Sequence, residues 1–155
     1  MTGTIEARLA ELGLTLPPAP NPVANYVPTA IAGNLLFISG QISKAGDGTI
    51  VTGTLGAGVD VETGQAAARL CALNILAQAK AALGSLDRIA QVVRLTGFVA
   101  ATADFPDHPK VVNGASDLMV EVLGDKGRHT RAAVGVASLP MGSAVEVDAI
   151  IAIAG

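Results

Sequence analysis

Apolar positions along this chain recur with two different periods, and the switches between them mark out helices and strands. Ile5, Leu9 and Leu12 stand at helical spacing before Gly13, which predicts a short helix within residues 1–15, appended to the rest of the chain. Pro17, Pro18, Pro20 and Pro22 lack amide donors and restrict the residues before them, so residues 16–25 are expected to run extended over the surface as a linker. Strand-like text follows Tyr26: Thr29-Ala30-Ile31-Ala32, a Gly33-Asn34 turn, then an apolar run to Ile42, together predicting a first hairpin. Residues 44–58 are rich in Gly and Thr and read as a mobile loop around one short strand near 49–52.

Asp60 is placed to cap a helix that runs to Leu83 and stops at Gly84, with Gly64, Ala68, Cys71, Ile75 and Ala79 on one narrow face suited to close approach to a sheet. Residues 89–99 read as a strand. A second long helix is predicted from Asp107 or Pro109 to Gly124, burying Val111, Ala115, Leu118, Met119 and Val122. Beyond Arg131, Val134 and Val136 alternate with small residues. Leu139-Pro140-Met141-Gly142-Ser143 supplies turn residues, and Val145, Val147 and Ala149 alternate with Glu146 and Asp148, so a closing hairpin is the simplest reading. The order of elements suits one α+β domain over residues 1–155, a mixed sheet with the two long helices on a single face. Several strands are apolar at both parities, which points to burial of both sheet faces and hence to association between copies.

Composition narrows the partners. Half the residues are hydrophobic and only 15% are charged, as suits one heavily buried core. A net charge of −3, one Tyr, three Phe and no Trp leave neither a basic stripe for phosphates nor a stacking platform for bases, so nucleic acid is not the expected partner. Lone Cys71 has no partner for an internal disulfide, and the polar start Thr2-Gly3-Thr4 is unlike a secretion leader; a cytoplasmic location is expected. No stretch approaches the roughly 20 apolar residues that cross a bilayer.

Few residues carry chemistry. Cys71 is isolated, and His108 and His129 lie far apart without a third ligand at metal-binding spacing, so no metal site is expected. Gly53-x-x-Gly56-x-Gly58 lacks the Lys-Ser/Thr ending of a phosphate loop and reads as loop flexibility. Arg131 opens a strand; it is either a surface charge or a carboxylate anchor, since the guanidinium fork matches a carboxylate as no other side chain does. Glu146 and Asp148 share one strand face about 6–7 Å apart, where they are either a solvated edge or a place to hold water or a cation. Tyr26, Ser39 and Asn113 read equally as local structure: a core aromatic, relief of crowding beside Gly40, and a backbone bond on a helix. His129 reads as a loop residue rather than a general base, and Cys71 as a small hydrophobe. If residues 139–142 are the turn, Glu146 pairs near Gly135, about 13 Å along the ribbon from Arg131. A site using both then needs a second chain or a long reach by the arginine.

The segments Asn25-Tyr26-Val27, Asn34-Leu35-Leu36-Phe37-Ile38-Ser39-Gly40-Gln41 and Val112-Asn113, with the R-x-x-V-x-V-x-x-L-P-x-G-x-x-V-E-V-D-A-I text from Arg131, resemble the RidA/YjgF reactive-intermediate deaminases, also known as L-PSP endoribonucleases. The resemblance runs from residue 21 to the carboxyl end. It implies a chorismate-mutase-like fold and a homotrimer whose sheets form a central barrel, with sites between subunits. By motif, Arg131 takes the place of the arginine that holds the substrate carboxylate and Glu146 that of the acid that orients water. Tyr26, Ser39, Gly40 and Asn113 fall on substrate-binding positions. The implied reaction is hydrolysis of small 2-imino acids, or their enamine tautomers, to 2-oxo acids and ammonia, without metal or other cofactor. The alternative is a non-catalytic module of the same fold that binds small carboxylates or partner proteins. The acidic charge and scarce aromatics count against ribonuclease activity. The longer amino-terminal helix, the Gly-rich loop before Asp60 and Pro28-Thr29 depart from the pattern and point to a distinct subgroup.

Overall fold

The computed structural model describes residues 3–22 and 24–155; Met1 and Thr2 of the predicted helix and Val23 of the predicted linker lie outside the described residues. The described elements run in the order α1 (Thr4–Glu11), β1 (Thr29–Ala32), β2 (Leu35–Ile42), β3 (Thr54–Leu55), β4 (Gly58–Val59), α2 (Val61–Leu83), β5 (Ile89–Ala100), α3 (His108–Leu123), β6 (Thr130–Val136) and β7 (Val145–Ile153). One mixed sheet is ordered β1-β2-β7-β5-β6, and β3 and β4 form a separate small ribbon. The α+β architecture with both long helices on one sheet face is as the sequence predicts. Val145, Val147, Ala149, Ile151 and Ile153 of β7 are buried beneath the helices, while Glu146, Asp148, Ile150 and Ala152 alternate onto the opposite face.

Local chemistry sets the long helices. The Asp60 carboxylate accepts the Thr63 amide at 2.8 Å, and that bond holds its carboxyl below the ordinary carboxylate range. Gly84 ends α2 with φ of 81°. The narrow face Gly64, Ala68, Cys71, Ile75 and Ala79 is buried throughout, as are Val111, Ala115, Leu118, Met119 and Val122 of α3. The two helices touch backbone to backbone: a Cβ at Gly114 would strike the Gln65 carbonyl.

The first hairpin forms as expected, with Ala32 opposite Leu35. The closing hairpin does not. β6 runs parallel to β5, with Leu95 opposite Arg131, and β7 pairs antiparallel with β5 and β2, so β5 stands between the two strands expected to pair. The reason lies in the crossover: β5, α3 and β6 form a parallel βαβ unit, which sends β6 to the sheet edge. β7, apolar toward the helices along its whole length, takes the centre. Residues 137–144 are the path that carries the chain past the end of β5.

Two further expectations change. The amino-terminal helix is no appendage: Leu9 joins the core, the Asp87 carboxylate accepts the Thr4 and Ile5 amides at 2.8 and 2.9 Å, and Arg8 Nε donates to the Glu121 carbonyl at 3.0 Å. Residues 44–58 contain no strand at 49–52, only isolated bridges of Ile50 with Lys44 and Thr52 with Ser143. That segment is pinned by the buried Ser43 and Ser143 hydroxyls, 2.6 Å apart, and by fully buried Leu55.

Candidate functional site

The predicted site residues fall into two groups that a single copy does not bring together. The first lines a cleft of about 290 Å³ whose walls include Tyr26, Gly40, Lys44, Gln78, Met141 and Glu146. β2 slips register against β7 between Ile38 and Gln41, and this irregularity sets Gly40 beside Glu146. A Cβ at Gly40 would lie 2.8 Å from the Glu146 carboxyl carbon, so glycine makes the room that the acid occupies. Ser39 stands just outside: its hydroxyl donates to the Val27 carbonyl at 2.8 Å and its amide to the Pro28 carbonyl at 2.9 Å, tethering the segment that carries Tyr26.

The outer wall is the proline-rich segment. Instead of a plain linker it lies across the cleft, where the buried Gln78 amide of α2 donates to the Pro20 carbonyl at 2.6 Å. One turn earlier, Asn74 donates to the Ile42 and Lys44 carbonyls at 3.2 and 2.9 Å. These two buried polar residues on an otherwise apolar helix face are functional neighbours that the sequence analysis missed. Their i, i+4 spacing on the buried stripe was the available signal, because buried amides need partners. On the rim, exposed Met141 holds φ of 58°, a left-handed conformation uncommon for a side chain of that size.

Burial is the main cause, and the neighbouring Asp148 charge the second, that raises the Glu146 carboxyl above the ordinary value of 4.5. No donor among the described residues bonds that carboxylate. It is therefore a stronger base than an exposed glutamate and remains free to hold water. Cys71 is buried with its thiol pushed well up by desolvation, then by the Glu146 charge, which leaves it unreactive.

The second group sits on the far side of the sheet. Arg131 shares the side of Leu95, beneath α3, whereas Glu146 pairs with Phe98 on the open face. Two strand spacings and three residues separate their backbones, roughly 14 Å in all. Arg131 Nη1 donates to Asn113 Oδ1 at 2.8 Å and Ser116 Oγ at 3.1 Å, and Nη2 donates to the Pro109 carbonyl at 3.2 Å. All three acceptors are neutral. Arg131 makes no salt bridge among the described residues, and Nε–H and one Nη2–H have no acceptor there. A fixed, uncompensated cation with two free donors is suited to a carboxylate. Among the described residues no group of three His, Cys, Asp or Glu side chains is placed to hold a metal. No helix there is long and apolar enough to cross a membrane.

Known proteins bear on this geometry. The family described as "YjgF/chorismate mutase-like, putative endoribonuclease" matches residues 6–152. The chain is 50% identical over 151 residues to Protein TCP17 of Trypanosoma cruzi, spanning 97% of this chain and 94% of that one. Among solved structures it is 55% identical to Atu1372 of Agrobacterium tumefaciens, with a TM-score of 0.88 over 96% of this chain and 93% of the other. It is 28% identical to Escherichia coli TdcF with bound serine, with a TM-score of 0.63 over 88% of this chain and 94% of the other.

Proposed function

The chain belongs to the YjgF/chorismate mutase-like family, and from that premise we propose that it hydrolyses small 2-imino acids, or their enamine tautomers, to 2-oxo acids and ammonia. The observation that carries this reading is Arg131, a guanidinium fixed by three neutral acceptors with two donors left over. A bidentate carboxylate would complete it. The serine bound in TdcF is a small molecule of the same class, a carboxylate beside a nitrogen-bearing carbon.

With the carboxylate held, the iminium carbon next to it is electrophilic without further activation. Water positioned by Glu146 adds its oxygen to that carbon and passes a proton to the carboxylate. The resulting carbinolamine gains a proton on nitrogen and loses one from oxygen. The C–N bond breaks, ammonia leaves and the C=O bond remains. The lifted basicity of Glu146 favours the first proton transfer, and both ends of the reaction need only position and charge.

Joining the two groups calls for more than one copy. The open sheet face presents Phe37, 40% exposed, and Val134, 43% exposed, beside half-buried Phe98 and Ile150. Packing of such faces in a homotrimer would cover this apolar surface and carry the Arg131 edge of one copy toward the Glu146 cleft of the next. The family description also mentions endoribonuclease activity, but a net charge of −3 and the few aromatics disfavour RNA as substrate. The test is ammonia release from imines generated in situ from several amino acids. Turnover is expected, with about a thousandfold loss in Arg131→Ala while the chain still folds. Full activity in that variant overturns the reading, and carboxylate binding without ammonia release identifies a binding module instead.

A further inference from the structure

Arg131 is held by a chain of hydrogen bonds that reaches beyond its direct partners. His129 Nδ1 lies 2.6 Å from the Gly127 carbonyl, and its Nε2 lies 2.8 Å from Ser116 Oγ, the same hydroxyl that accepts from Arg131 Nη1. A carbonyl only accepts, so Nδ1 carries the hydrogen. In the neutral ring Nε2 is then a lone pair, and Ser116 donates its one proton there. The serine oxygen is left with lone pairs only, facing the guanidinium. A ring protonated at both nitrogens would instead set a second cation against the oxygen that already accepts from Arg131.

The far end of this chain is rigid. A Cβ at buried Gly127 would strike the Met119 carbonyl, so the loop lies directly on the α3 backbone. On either side of His129, Gln91 donates to the Arg128 carbonyl at 3.3 Å and the Thr130 hydroxyl to the Val93 carbonyl at 2.7 Å. The imidazole therefore has a fixed place and a single hydrogen pattern. A serine hydroxyl rotates freely unless its proton is committed, and here His129 commits it.

We propose that His129 and Ser116 are positioning residues for Arg131, acting in series to hold the guanidinium so that its unpartnered N–H groups face an incoming carboxylate. The proposal rests on Arg131 as the carboxylate anchor. It predicts that His129 and Ser116 act on substrate binding more than on the chemical step, because neither touches the reacting carbon.

Steady-state imine hydrolysis by the full chain tests this. Ser116→Ala is expected to raise KM about tenfold, the loss of one hydrogen bond to a charged group, and His129→Ala about threefold, the loss of the neutral bond that orients the serine, each with kcat changed less than about twofold. The double variant should be no worse than Ser116→Ala alone, because the two residues share one chain of bonds. His129→Gln, whose amide oxygen can take the serine proton, should recover most of the affinity. In the unmodified protein, 15N spectra of the His129 ring should show Nδ1 protonated and Nε2 bare, a readout that survives if His129→Ala fails to fold. Wild-type KM in both single variants, additive effects in the double, a fall in kcat at unchanged KM, or a proton on Nε2 each overturns the relay. If Arg131→Ala loses activity while those results appear, the relay alone fails; if Arg131→Ala is fully active, the carboxylate anchor fails with it.

Discussion

The Arg131 edge and the Glu146 cleft solve opposite electrostatic problems. The arginine is surrounded by neutral acceptors that fix its direction without cancelling its charge. The glutamate is half withdrawn from water, faces a second acid two residues on, and receives no donor among the described residues. One group is oriented by its bonds, and the other is left without a donor among the described residues. The fold keeps them apart on opposite sheet faces of one copy, and under the proposed reaction joining copies would be part of the chemistry.

Mixed oligomers separate the two groups most directly. Arg131→Ala and Glu146→Gln chains should each be inactive alone, yet co-assembled in equal amounts they should recover about a quarter of wild-type ammonia release, since a site needs each half from a different chain. No recovery in verified mixed oligomers would show that the halves do not meet between copies. Next in size is Gly40→Ala. The added methyl pushes against the far end of a flexible side chain, so thermal stability should hardly move while kcat falls about tenfold through a displaced Glu146. Binding of a small carboxylate, measured calorimetrically, should persist, because the Arg131 half is untouched.

Gln78→Ala sharpens the cleft side further. Loss of its bond to the Pro20 carbonyl should cost about 1 kcal/mol, loosen the outer wall and speed hydrogen exchange at Ala19 and Asn21, the residues between the prolines that carry an amide hydrogen. Unchanged exchange would mean that the prolines hold the wall unaided. The smallest effect is on stability. A carboxyl raised on folding binds protons more tightly in the native state, so Glu146 contributes stability below its unfolded value of 4.5 that is lost as pH rises through the raised native value. Glu146→Gln should thus be more stable than wild type at pH 7, by under about 1 kcal/mol given its partial exposure, with the gain vanishing near pH 4. Denaturant titrations at both pH values check the sign.

Helix spans and the strands of the main sheet were legible because periodicity reports which face of an element is buried. Neighbourhood was not. Alternation in β6 and β7 looks the same whether the strands pair with each other or with β5, and only the helical crossover decides. That misplacement carried through to the expected 13 Å separation of Arg131 and Glu146, which left out both the intervening strand and the change of face. The proline segment read as a linker because nothing local reveals that Gln78, 58 residues away, will hold it over a cleft. His129 read as a loop residue and stands in a loop before β6, but its bond to Ser116 was not legible. Its meaning depends on Ser116, which approaches only when α3 folds back over β6. Arg131 and Glu146 stood out in the sequence by charge in apolar text and by family resemblance; their separate housing was visible only in three dimensions.

The strand at the middle of the sheet is also the last of the described strands to leave a ribosome. Until β7 emerges, β2 and β5 have no edge in common, and the apolar underside of α2 waits over a gap. A nascent chain without β7 therefore has no strand to pair the facing edges of β2 and β5. Placing β7 joins both flanks of the sheet through one strand.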